Sequence, residues 1–65
     1  MKLLLKQIID QKKLSLRQVE ILTKVGRSTL SAIVNEKSDP RLGTLEQIAK
    51  GLHVKITDLF ESEYK

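Results

Sequence analysis

The 65-residue chain has no cysteine and no tryptophan, and only one histidine, one proline, one phenylalanine and one tyrosine. Each shortage removes a class of protein. Without cysteine there is neither a disulfide framework nor a thiolate metal site, and a lone His53 cannot build a zinc site. Two aromatic side chains are too few for a platform that stacks the bases of a single strand. No apolar run approaches the roughly 20 residues that cross a bilayer. The opening MKLLLKQII starts like a secretory leader, but Lys6, Gln7 and Asp10 interrupt it and no small-residue cleavage site follows. An amphipathic helix in a cytoplasmic protein is the expectation. No paired carboxylates and no nucleophile beside a base can be found, so an enzyme is not expected, nor is a metal, cofactor or small-molecule ligand.

Basic charge is what the chain does have. Twelve lysines and arginines against eight acidic residues leave a formal net charge of +4, with a pI of about 9.6. Such a surplus permits binding to a polyanion by counterion release without demanding it. Given the aromatic shortage, duplex DNA suits it better than a single strand. The length allows one domain, residues 1–65, with a small core that is marginal unless its helices pack well or the chain dimerises.

Apolar spacing divides the chain into five helical stretches, since residues three and four apart share one helix face. The first covers 2–13, with Leu5, Ile8 and Ile9 inward and Leu4 beside them. Ser15 is a good N-cap for a second helix over 16–23, with Gln18 placed to complete a capping box. That helix offers Val19, Leu22 and Thr23 to the core. A tight polar break at Thr23-Lys24 follows. Gly26 then caps a third helix, 27–35, which offers Leu30, Ile33 and Val34 inward. Asn35-Glu36-Lys37 closes it, and Ser38-Asp39-Pro40 is a loop, because proline ends helical pairing. Leu42, Leu45, Ile48, Ala49 and Leu52 form a 3.6-period stripe on a fourth helix over 42–52. His53 is placed to end that helix, as histidine tolerates positive φ better than most residues. Val54 is expected to pack back on the core. A short fifth helix, 56–61, presents Leu59 and Phe60, and 61–65 is a frayed tail.

The outward face of the third helix is Arg27, Ser28, Ser31 and Ala32. These side chains are small or hydrogen-bonding, so the helix can approach a DNA major groove closely. At this point the stretch LSLRQVEILTKVGRSTLSAIVN, together with DPRLGTLEQIAKGLHVKITDLF, resembles the helix-turn-helix of the phage Cro/CI-repressor type, the Xre-like family. The match runs without gaps from about residue 5 to 60. It implies an all-α fold, a compact five-helix lambda-repressor-like domain whose helix-turn-helix is made by the second and third helices. It implies a sequence-specific regulator of transcription that binds double-stranded DNA, as a homodimer at least on DNA.

The resemblance places Arg27, Ser28, Ser31 and Ala32 at base-contacting positions. Arginine can give two parallel donors to guanine O6 and N7, serine serves either base type, and alanine can touch a thymine methyl. Arg27 can equally bind phosphate from the first turn. Arg17, Thr29, Asn35, Lys37, Arg41 and Thr44 are the candidates for phosphate contact, helped by the amino ends of the second and fourth helices. The dimer interface is expected at Ile56, Leu59 and Phe60 with the loop before the fourth helix.

The chain departs from the family pattern in several places. Lys24 stands where glycine is usual, at a left-handed turn, which costs on the order of 1 kcal/mol. Leu16 replaces a phosphate-binding glutamine, and Glu20 replaces an alanine that lets two helices pack closely. Asn35-Glu36 replaces the frequent Asn-Gly. Ile9 and Val34 stand where the family pairs a buried arginine with a glutamate. Losing both charges together avoids stranding one of them, so Ile9 and Val34 are expected to meet in the core.

A second function remains open, an antitoxin-type interaction module of the same fold that also binds its own promoter. An exposed apolar patch beyond the core would favour it, with Leu3, Leu16 and Ile21 as the spare apolar residues.

Overall fold

The computed structural model describes residues 2–35, 37 and 39–64. Among them the chain forms four α-helices: α1 (Leu5–Gln11), α2 (Leu16–Thr23), α3 (Arg27–Val34) and α4 (Leu42–Leu52). A single 3₁₀ turn, Ile56–Asp58, replaces the expected fifth helix. Two short strands, β1 (Lys2–Leu3) and β2 (Phe60–Glu61), pair antiparallel with Lys2 opposite Glu61 and Leu3 opposite Phe60. Membrane-spanning length and apolarity are absent from every helix among the described residues.

This ribbon corrects both ends of the sequence reading. The first helix starts at Leu5, not at residue 2, and Glu61 is a strand residue, not part of a tail. The run Leu3-Leu4-Leu5 fits either period, so local pattern cannot decide it. A distant partner decides: the Leu4 N–H donates to the Leu59 carbonyl at 2.8 Å, and Leu3 and Phe60 both pack against the core. A two-stranded ribbon is marginal alone, so this one depends on that packing. Glu36, Ser38 and Lys65, which the sequence reading assigns to a helix end, a loop and the tail, lie outside the described residues.

The core collects Leu5, Ile8, Ile9, Val19, Val25, Leu30, Ile33, Leu45, Ile48, Ala49, Leu52 and Leu59. Each buried Leu, Ile or Val contributes about 1.5–3 kcal/mol, so much of the driving force sits in these positions. Leu59 is only 1 % exposed, which removes it from any subunit interface. Val54, Ile56, Phe60, Leu14 and Leu16 are half-buried around the cluster. Two residues of the expected core stripes lie outside it. Leu22 is 50 % and Leu42 69 % exposed. Leu42 falls on the first residue of α4, past the edge of the cluster.

Leu22 is displaced by the way α4 meets α2. A Cβ added at Gly51 would lie 2.6 Å from the Leu22 carbonyl oxygen and 2.7 Å from Thr23 Cα. The α4 backbone therefore rides directly on the α2 backbone, and Thr23, not Leu22, fills the seam. Thr23 is buried with its hydroxyl satisfied: it donates to the Val19 carbonyl (2.7 Å) and accepts from the Val25 N–H (3.3 Å). Gln47 Nε2 adds a bond to the Thr23 carbonyl at 2.9 Å.

Three chain reversals use left-handed residues that are not glycine: Lys13 (φ 55°), Lys24 (φ 59°) and His53 (φ 58°). Backbone bonds hold each one. Leu14 N–H reaches the Ile9 carbonyl at 3.0 Å, Lys24 N–H the Glu20 carbonyl at 2.8 Å, and Val54 N–H the Ala49 carbonyl at 3.0 Å. These recover carbonyls that a helix end otherwise leaves unpaired.

Two stability measurements follow. In Gly51→Ala, overpacking against fixed backbone costs about 1–3 kcal/mol, and alanine's better helix propensity returns about 1 kcal/mol. A net loss is expected, seen as a melting point several degrees lower; a variant at least as stable as the parent would show that α2 and α4 separate freely. The second concerns Ile9 and Val34. Ile9 is buried, Val34 is half-buried against the core, and α1 meets α3. A carboxylate at Val34 can lean partly into water, so Val34→Glu is expected to cost about 1–3 kcal/mol. Adding Ile9→Arg should recover part of that loss. Melts of both singles and the double measure the coupling, and purely additive losses would place the two side chains apart.

Candidate nucleic-acid interface

The interface is built outward from the turn between α2 and α3. Ser15 is extended and caps α2 reciprocally with Gln18, through bonds of 2.8 and 3.1 Å. This fixes where α2 begins. Lys24 in the left-handed region then reverses the chain, and Gly26 starts α3 with no side-chain cap. Val25 between them is buried, so the short link is anchored to the core.

On α3, Leu30 and Ile33 face inward. Helical spacing then puts Arg27, Ser28, Ser31, Ala32 and Asn35 on one outward stripe. Arg27, Ser28 and Asn35 are exposed, whereas Ser31 and Ala32 are half-buried. Asn35 Nδ2 donates to the Ser31 hydroxyl at 3.3 Å, which occupies an acceptor site and leaves the Ser31 O–H free to donate. Thr29 is exposed but lies off this stripe.

The other candidate phosphate ligands sit on neighbouring elements. Arg17 is exposed in the first turn of α2. Lys37 is held at the end of α3, where its N–H donates to the Ala32 carbonyl at 2.8 Å. Arg41 is exposed at the start of α4 and gives it no side-chain cap, while Thr44 is half-buried one turn in. Of the two amino ends expected to help, that of α4 has no side-chain cap, as an anion site needs, whereas that of α2 is engaged by the Ser15–Gln18 capping box; α3 also begins without a side-chain cap.

One functional neighbour escapes sequence reasoning. Arg27 Nε lies 3.9 Å from a Glu20 carboxylate oxygen, with side-chain exposures of 67 % and 37 %. The two residues are seven apart and on different helices, so no spacing rule within one helix joins them; only the geometry of the turn does. No three His, Cys, Asp or Glu residues among those described come together to hold a metal ion.

No curated protein matches the chain. The family described as the Cro/C1-type HTH DNA-binding domain does match, over residues 4–64. With its helix-turn-helix at α2 and α3 and the outward polar stripe of α3, the chain belongs to the Cro/C1-type helix-turn-helix DNA-binding domain family.

Proposed function

We propose that the protein is a sequence-specific regulator of transcription that reads duplex DNA with α3. The observation that carries this reading is the outward stripe Arg27, Ser28, Ser31, Ala32 and Asn35, free of bulky apolar side chains, on a chain of net charge +4. Arg27, Ser28, Ser31 and Ala32 take the base edges. Arg17, Thr29, Asn35, Lys37, Arg41 and Thr44 take phosphates and set the register.

A dimer on an inverted repeat completes the reading, with the two α3 helices about 34 Å apart on one face of the duplex. Leu59 is buried and Ile56 and Phe60 are half-covered by the protein's own core. The contact between copies therefore shifts towards the loop before α4 and the exposed Leu42 that follows it at the start of the helix.

One observation favours the antitoxin-type reading as a second. Leu3 and Leu16 pack on the core, but Ile21, at 65 % exposure, and Leu22 form an adjacent apolar pair on α2. Serine at both positions would leave DNA selection intact and abolish neutralisation of a toxin encoded beside it. Loss of DNA selection instead would count against that reading.

Selection from random duplex DNA tests the main reading. An inverted repeat is expected in the bound fraction, and the affinity for it should fall linearly with salt on a log–log plot. Absence of binding to any duplex at low salt would sink the proposal. Single substitutions separate the roles. Arg27→Ala should cost about 1–3 kcal/mol and relax preference at one base position, while Lys37→Ala should weaken all sequences alike and flatten the salt slope by about one unit. An unchanged motif in Arg27→Ala would reassign Arg27 to phosphate.

A further inference from the structure

Arg27 can serve either a guanine edge or a phosphate, and nothing in its own side chain chooses between them. A free guanidinium on a flexible stem follows the strongest field, and on DNA that field comes from the charged phosphates. A guanine offers only two dipolar acceptors and rewards geometry instead. The neighbour that changes this balance is Glu20, whose carboxylate approaches the Nε side of the guanidinium at 3.9 Å. That distance exceeds the 2.7–3.2 Å range of an N–H···O bond. The pair is thus an electrostatic leash that still lets the exposed Arg27 reach outward.

We propose that Glu20 is a specificity-determining residue that leashes Arg27 and steers it from phosphate to a guanine edge. This inference rests on the reading of Arg27 as a base-contacting residue. Three physical consequences of the pair support it. First, carboxylate and guanidinium together carry no net charge, so the non-directional pull of phosphates on Arg27 is weakened. Second, the leash engages the Nε side and leaves the terminal Nη1/Nη2 pair available, and that fork matches guanine O6 and N7. Third, Glu20 itself is repelled by the phosphate backbone. A complex in which Arg27 finds no guanine keeps that repulsion without the compensating fork. Glu20 sits on α2, outside the α3 stripe, so it acts through Arg27 and needs no base contact of its own.

The test compares Glu20→Gln, Arg27→Ala and the double variant with the parent, using selection from random duplex DNA and salt titrations on the selected and on a scrambled duplex. Glu20 is a partly exposed surface residue, so equal melting temperatures are expected and serve as the folding control. Glu20→Gln should bind the scrambled duplex more tightly, steepen the salt slope by up to about 0.9 per charge removed, and reduce discrimination at the Arg27-dependent base several-fold. In the Arg27→Ala background, Glu20→Gln should leave base preference unchanged, because there is nothing left to steer. A residue that only braces the turn would lose affinity for both duplexes alike. An Arg27-dependent base preference that Glu20→Gln leaves intact, with an unaltered salt slope, overturns the role of Glu20 and spares that of Arg27. A parent protein with no Arg27-dependent preference overturns both. A DNA-free readout stands beside these: the Arg27 Nε–H resonance of the free protein should move in Glu20→Gln, and an unmoved resonance overturns the leash.

Discussion

The fold depends on how closely the carboxyl end of α2 is pressed against α4. Gly51 has no Cβ, so the α4 backbone reaches the carbonyl of Leu22 and the Cα of Thr23. Thr23 fits that seam because its hydroxyl is satisfied within the chain, by Val19 behind it and Val25 ahead of it. A buried hydroxyl without partners would cost more than its methyl returns. The Gln47 side chain, bonded to the Thr23 carbonyl, ties the same point a second time. The outward stripe of α3 is downstream of this point. The turn at Lys24 leaves from it, Val25 is buried one step later, and α3 takes its direction from both.

Glycine is not used where a sequence reader would look for it. None of the three glycines has positive φ, while Lys13, Lys24 and His53 all do. A left-handed residue with a Cβ costs about 1–2 kcal/mol, so three of them are a sizeable charge on a small domain. The offset is local. Each reversal recovers a helix carbonyl through a backbone bond, and Val25 and Val54 turn inward directly after two of the reversals. The Gly51 contact shows the alternative use of glycine, as room for a neighbouring backbone instead of as a turn.

The parts of the fold legible in the sequence are those decided within one or two turns of helix. The bounds of α2 and α4, the capping box at Ser15, the left-handed His53 and the inward residues of α1 all follow from local spacing and capping chemistry, while the left-handed Lys24 follows from the family resemblance. What local spacing misread was decided across the chain. The ribbon of Lys2–Leu3 with Phe60–Glu61 depends on partners nearly sixty residues apart. Leu22 and Leu42 satisfy the helical period but fall outside the volume the other helices enclose. The candidate site divides the same way. The outward stripe of α3 follows from its period, whereas the approach of Glu20 to Arg27 needs the turn itself.

In the proposed reading, affinity and selectivity fall to different elements. Of the five residues on the α3 stripe only Arg27 is charged, and its charge is partnered by Glu20. In the proposed reading the phosphate contacts come instead from exposed basic residues at flanking positions such as Arg17, Lys37 and Arg41. Phosphate contacts of that kind supply binding to any duplex but no reading of it. One good bidentate contact is worth about 1–3 kcal/mol of discrimination, and specific complexes exceed non-specific ones by about 4–10 kcal/mol. A single stripe with one arginine and two serines falls near the bottom of that range. Doubling the stripe through a second copy roughly doubles the discrimination without enlarging the domain, which is the physical argument for a two-fold assembly on DNA.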